Sequence, residues 1–207
     1  MISMNKIIHT YGDSHATHYG AWDKITIPNL TVSINHFPGK LMYSFGRDSM
    51  DVVKNINEND MVCFCFGEID CRCHINKFEP DWGKTIDDVV ENYFINIKKN
   101  VEKYKNLTTF VFNIVPPLER ELPENFSAEY YNGNPIPALG SDIDRRKYTL
   151  YMNDKLKEYC KIYDYIFLNV YDNYVNEKGF ISTEFSDGNC HINNPIYVEE
   201  FLMNFLK

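Results

Sequence analysis

A serine, a histidine and an aspartate in this chain have the residue types of an acyl-transfer relay. Ser14 lies in Tyr11-Gly12-Asp13-Ser14-His15, which ends the run begun by the apolar pair Ile7 and Ile8, so it reads as the residue left at the carboxyl end of a first strand by a glycine turn. A serine hydroxyl is a poor nucleophile until a base takes its proton, and the base works best when a third group holds its tautomer. His191 is the candidate base and Asp187 the candidate orienting group. They sit in Asp187-Gly188-Asn189-Cys190-His191, one helical turn apart or across a tight loop, so one local structure can hold both. Gly, Asp and Ser are also the commonest turn formers, and a plain turn is the competing reading of the first stretch.

The elements that must position these residues follow from periodicity. After the serine turn, 15–23 reads as a short helix or turn, and 31–37 alternates as a half-buried second strand. Tyr43-Ser44-Phe45-Gly46 reads as a glycine loop opening a helix over 47–56, whose apolar positions are Met50, Val53 and Ile56. A loop glycine at a helix start, here Gly46, offers backbone N–H groups to an oxyanion. Residues 61–66 are continuously apolar, the pattern of a central parallel strand covered on both faces, and they stop at Gly67. Glu68, Asp70, Arg72 and His74 follow within a few residues, again at a strand's carboxyl end; they read either as substrate-contacting groups or as ion pairs that tie down a loop.

Further along, Thr85 to Asp88 resembles a capping box leading into a helix marked by Val90, Phe94, Ile97, Val101 and Tyr104. Residues 109–115 form a fourth strand, ended by Pro116 and Pro117. The stretch 116–140 shows no period and is expected as a long irregular loop, read either as a lid or substrate-contact segment or as plain surface decoration. Ser141 and Asp142 cap a long helix with Tyr148, Met152, Leu156 and Tyr159 as its stripe. Residues 165–170 form a fifth strand, and Asn194-Pro195 starts a last helix with Val198, Phe201, Leu202 and Phe205 inward. Strands alternate with helices throughout, which predicts an α/β fold: a five-stranded parallel sheet with helices on both faces.

Bulk properties bound the partners. A chain of 207 residues, 44% hydrophobic and 15% aromatic, suits one sizeable domain, and a formal charge of −8 argues against a nucleic-acid partner held through phosphates. A neutral or cationic substrate fits better. The start of the chain lacks a signal-like apolar core, and no stretch is long enough to span a bilayer, so a cytoplasmic protein with no membrane partner is expected. Reduced thiols then follow for the six cysteines, with Cys63 and Cys65 on one face of a strand. A metal site on Cys71, Cys73 and His74 is a weaker alternative, and no metal is assigned.

Taken together, the blocks resemble the SGNH, or GDSL-type, hydrolase superfamily. Gly12-Asp13-Ser14 matches the first block, Gly46 the second, Gly67 and Asp70 part of the third, and Asp187 with His191 the last, in block order over the whole chain. The resemblance implies a flavodoxin-like, three-layer α/β/α sandwich. It also implies hydrolysis or transfer of acyl esters, frequently on carbohydrates, with no cofactor. Two departures stand out. Ile69 occupies the place of the family's oxyanion asparagine and cannot donate, leaving Arg72 and His74 as the nearest candidate donors. The last block is one residue longer than Asp-x-x-His. The expected function is a serine esterase or O-deacylase on a small or carbohydrate ester. The alternatives are an O-acyltransferase on a glycan or a catalytically impaired ligand-binding module.

Overall fold

The structure is a computed structural model that describes residues 5–120, 129–131, 134–136 and 138–207. Five parallel strands, β1 (Lys6–Gly12), β2 (Leu30–His36), β3 (Met61–Cys65), β4 (Thr108–Phe112) and, late in the chain, β7 (Ile166–Leu168), form one sheet in the order β2-β1-β3-β4-β7. Two short strands, β5 (Glu129–Tyr131) and β6 (Asn134–Ile136), pair antiparallel on their own, inside the stretch expected to be irregular. Residues 121–128, 132–133 and 137 of that stretch, and with them most of the lid reading, lie outside the described residues.

The continuous apolar run of β3 is covered on both faces, as its pattern requires. Val62, Phe64 and the following Phe66 belong to one buried cluster, Met61, Cys63 and Cys65 to the other. The first cluster packs under α1 (Met42–Arg47), α3 (Trp82–Val101) and α4 (Asp142–Tyr163). The second lies under α5 (Tyr171–Tyr174), α6 (Ile196–Leu206) and the turns that follow β1. This is the three-layer α/β/α arrangement expected, and all six cysteines are buried and free.

Several elements differ from expectation, each for a tertiary reason. Residues 43–46 are not a loop but most of α1, and the helix expected over 47–56 is absent. The side chain of Asn100 accepts from the Val52 and Val53 N–H groups, and the Asn96 and Asn100 amides donate to the Met50 carbonyl, so α3 captures this segment in a non-helical form. Val53 is buried all the same. Glu68–Cys73 is a short helix, α2, rather than a loop. Helix α3 begins at Trp82, before the expected capping box, because the Trp82 ring packs on Tyr148 and Tyr151 of α4 at 5.5 and 5.3 Å. The Ser141 cap of α4 is a full capping box with Asp144, and Pro195 precedes α6 as its N-cap residue rather than opening it.

The chain runs from β1 to β2 on one side and returns to β3 on the other, so the carboxyl end of β1 is a topological switch point, where open α/β sheets bind ligands. Gly12 closes β1 opposite His36 of β2 and Cys65 of β3. A Cβ on Gly12 would stand 2.0 Å from the Cys65 carbonyl oxygen, so only glycine lets the chain turn that tightly and leave Ser14 at the crevice.

Candidate active site

Three consecutive 3-10 turns, Ser14–Ala16, His18–Gly20 and Trp22–Lys24, take the place of the single short helix or turn expected after β1. Asp13 caps the first by accepting from the His15 N–H at 2.9 Å, and Thr10 of β1 donates its hydroxyl to the Ala16 carbonyl at 2.6 Å. Ser14 is thereby presented half-exposed between the buried Asp13 and His15.

The other half of the site is a loop closed by a bridge between Ser186 and Ile192. Within it the Asp187 N–H donates to the His191 carbonyl at 3.1 Å, and Asp187 Oδ1 accepts from the Asn189 N–H at 2.8 Å. This closure absorbs the extra residue of the last block. Asp187 Oδ2 lies 2.9 Å from His191 Nδ1, and His191 Nε2 lies 2.9 Å from Ser14 Oγ. The Asp187 carboxylate accepts a hydrogen bond from His191 Nδ1–H, which leaves the Nε2 lone pair facing the serine hydroxyl. Burial lowers the pKa of His191, and the neighbouring His15 lowers it further against the pull of Asp187 and Glu68. A neutral imidazole is the form that can accept a proton.

Of the other expected site residues, the structure brings Glu68 and Arg72 beside this relay and places three elsewhere. Arg72 Nε donates to Glu68 Oε1 at 2.7 Å, one turn along α2, in a nearly buried pair. Burial disfavours the Glu68 charge, but Arg72 and then His15 outweigh it and hold the carboxyl below its ordinary range. Gly46 is not a loop donor: it sits within α1, where a Cβ would come within 2.8–2.9 Å of the Asn92 and Tyr93 backbone of α3. Asp70 is wholly buried and accepts the Met42 and Tyr43 N–H groups at 2.7 and 3.1 Å, so it caps α1 rather than meeting a ligand. His74 packs its ring against Tyr43 and Phe78 at 4.8 and 5.1 Å. Tyr43 and Phe78 help line a cleft of about 650 Å³ between α1 and the start of α3, which holds none of the relay residues.

Sequence reasoning passed over His15 and Tyr19. The signal for the first was present, since Asp13-Ser14-His15 is itself an acid-histidine pair around the candidate nucleophile. His15 Nδ1 lies 2.9 Å from Asp13 Oδ1 and its Nε2 lies 3.0 Å from the Cys190 carbonyl oxygen. The Tyr19 ring lies 5.1 Å from that of His191, a contact made by the folding back of the second turn and unmarked by any spacing. His15, Cys190 and His191 are also the one group among the described residues whose donor atoms could converge on a metal ion. Both His15 ring nitrogens are already committed to oxygen acceptors, however, which makes this a proton network. Cys71 and Cys73 are spent elsewhere, on the Met152 sulfur and the Ile69 carbonyl.

A structure from Streptococcus pneumonia, described as a candidate platelet activating factor, superposes with a TM-score of 0.68 at 16% identity, covering 100% of this chain and 86% of that one. A GDSL-like lipase from Bacteroides thetaiotaomicron aligns at TM-score 0.59 and 13% identity over 98% and 87% of the two chains. This chain has the SGNH/GDSL hydrolase fold. An acetyl-xylooligosaccharide esterase from Geobacillus stearmophilus shares that SGNH fold at TM-score 0.60 and 11% identity, over 98% and 94%. No family model matches the sequence, and no curated protein matches it. The SGNH likeness therefore rests on tertiary structure, together with the Gly12-Asp13-Ser14 and Asp187 to His191 stretches.

Proposed function

We propose that this chain is a serine-dependent ester hydrolase that removes an acyl group from a small or carbohydrate substrate. The observation that carries the reading is the continuous line of contacts from Asp187 through His191 to Ser14, at 2.9 Å each, on the crevice of an SGNH-type sheet. Ser14 Oγ attacks the ester carbonyl while its proton passes to His191 Nε2, and the nearby Asp187 carboxylate stabilises the imidazolium that forms. Collapse of the tetrahedral intermediate returns that proton to the leaving alkoxide. Water, activated by His191, then releases the acyl group from Ser14.

Negative charge on the carbonyl oxygen needs donors, and Ile69 supplies none from its side chain. The Ser14 N–H, at the head of its 3-10 turn, finds no acceptor among the described residues and serves as one donor. Lacking a side-chain amide costs about two to three orders of magnitude in rate, so a slow enzyme is expected. Esterases of acetylated xylo-oligosaccharides among the structural neighbours support a short acyl group on a sugar. The test is hydrolysis of p-nitrophenyl acetate together with labelling by a fluorophosphonate probe. Wild type should turn over and label, and Ser14→Ala should do neither. A Ser14→Ala protein with full activity would overturn the assignment.

A further inference from the structure

Behind the relay lies a second acid-histidine pair, and the two are cross-tied. Ser14 Oγ meets His191 Nε2 at 2.9 Å, while the residue after the serine, His15, meets the carbonyl of the residue before the base, Cys190, at 3.0 Å. These two contacts join segments 175 or more positions apart in the chain, and the second is wholly buried. The Cys190 carbonyl can only accept, so His15 Nε2 carries a proton. Asp13 Oδ1, which already accepts the His15 backbone N–H, also accepts a hydrogen bond from Nδ1–H. A ring that donates from both nitrogens is an imidazolium.

We infer that His15 is a positioning residue, a buried cation that pins the loop carrying His191 to the turn carrying Ser14 and sets the pH at which His191 becomes a base. The inference rests on the serine-hydrolase reading for its kinetic consequence but not for its electrostatics. The His15 and His191 rings lie 4.9 Å apart, close enough for one charge to be felt by the other. Among the described residues, several ionisable groups that face His191 set the balance. Asp187 on its own loop and Glu68 on α2 favour its protonated form, His15 opposes it, and burial keeps the Cys190 thiol at 3.6 Å in its neutral form, while the Tyr19 ring packs alongside at 5.1 Å. Burial by itself would lower the His15 pKa. The Asp13 charge and hydrogen bond, the Glu68 charge and the Cys190 carbonyl reverse this and raise it to about 9, so the cation persists through the neutral range.

NMR titration of the histidine ring nitrogens tests this on the whole chain without substrate. In wild type, His15 should stay protonated past neutrality. In His15→Gln, which keeps a side-chain N–H donor but loses the charge, the His191 midpoint should rise by about one pH unit or more. The acid limb of kcat/KM should rise with it. Asp13→Asn gives a second arm that does not depend on the first variant folding: with its counter-ion removed, His15 should titrate at a lower pH than in wild type. A wild-type His15 that titrates near 6.5, or a His191 midpoint unmoved in folded His15→Gln, would overturn the inference. Failure of the hydrolase reading is a separate result, no Ser14-dependent turnover in wild type, and the titrations decide the role of His15 even then.

Discussion

His191 is surrounded by opposing charges, and this makes its pH behaviour a sharp test at the scale of single residues. Its pKa is lowered by burial and by His15. On the proposed mechanism the neutral ring is the base, so a lowered pKa extends activity downward, and the acid limb of kcat/KM should fall below 6.5, the ordinary histidine value. The same mechanism has Ser14, His191 and Asp187 serve one proton transfer, so their losses should not add: Ser14→Ala with His191→Ala should be no slower than Ser14→Ala alone when initial rates are compared. Arg72 belongs to the same balance by another route. Its guanidinium is paired with Glu68, so Arg72→Ala removes the main counter-charge of a buried carboxylate, leaving that role to His15, and should destabilise the fold by about 3–5 kcal/mol. Urea melts of that variant check it. A large fall in kcat with unchanged stability would instead place Arg72 at the oxyanion.

At the scale of elements, α1 is the piece whose position depends most on distant residues. It is six residues long and its N-cap residue, Leu41, has no side chain to cap with, so its first N–H groups are satisfied by Asp70 across from α2. Asp70→Ala would strand two donors, and a loss of about 1–3 kcal/mol is expected for each that stays buried, read as a lowered denaturation midpoint with the chemistry at Ser14 intact. Gly46 marks where α1 backs onto α3. A methyl group there would meet backbone atoms that cannot rotate away, so Gly46→Ala should cost about 1–3 kcal/mol or more by forcing the helices apart. Circular dichroism melts give the answer directly, and a neutral result would show that the two helices can separate freely.

For the whole molecule, the buried His15 couples stability to pH. Its pKa of about 9 in the fold exceeds the 6.5 of an unfolded histidine, so folding is favoured by its protonation. That contribution is fully present below about pH 6.5 and is lost as the pH rises through about 9. The difference in Tm between wild type and His15→Gln should therefore shrink as the pH is raised from 6 to 10. A constant difference would mean that His15 is held neutral. Tyrosines and thiols that titrate near the upper end are common to both proteins and drop out of the comparison.

What the sequence determined by itself was whatever local spacing encodes. The alternation of apolar runs and helical stripes specified a parallel sheet covered on both faces, because strands buried on two sides must be apolar throughout and helices over them on one side only. Gly12-Asp13-Ser14 and the Asp187 to His191 stretch were legible for the same reason: each is a contiguous piece whose residue types have one demanding chemistry. Met50, Val53 and Ile56 show the limit. Their helical spacing is real, yet Asn96 and Asn100, some fifty residues away, satisfy the same backbone in a non-helical form. Gly46 and Asp70 carried family-like spacing and proved to be spent on helix packing and capping. The tie from His15 to Cys190 was likewise decided only in three dimensions, since its partners are far apart in sequence and one of them is a backbone carbonyl. Hydrogen bonds to backbone leave no residue-type signature, and the electrostatics of a buried site depend on which charges the fold happens to bring within a few ångströms.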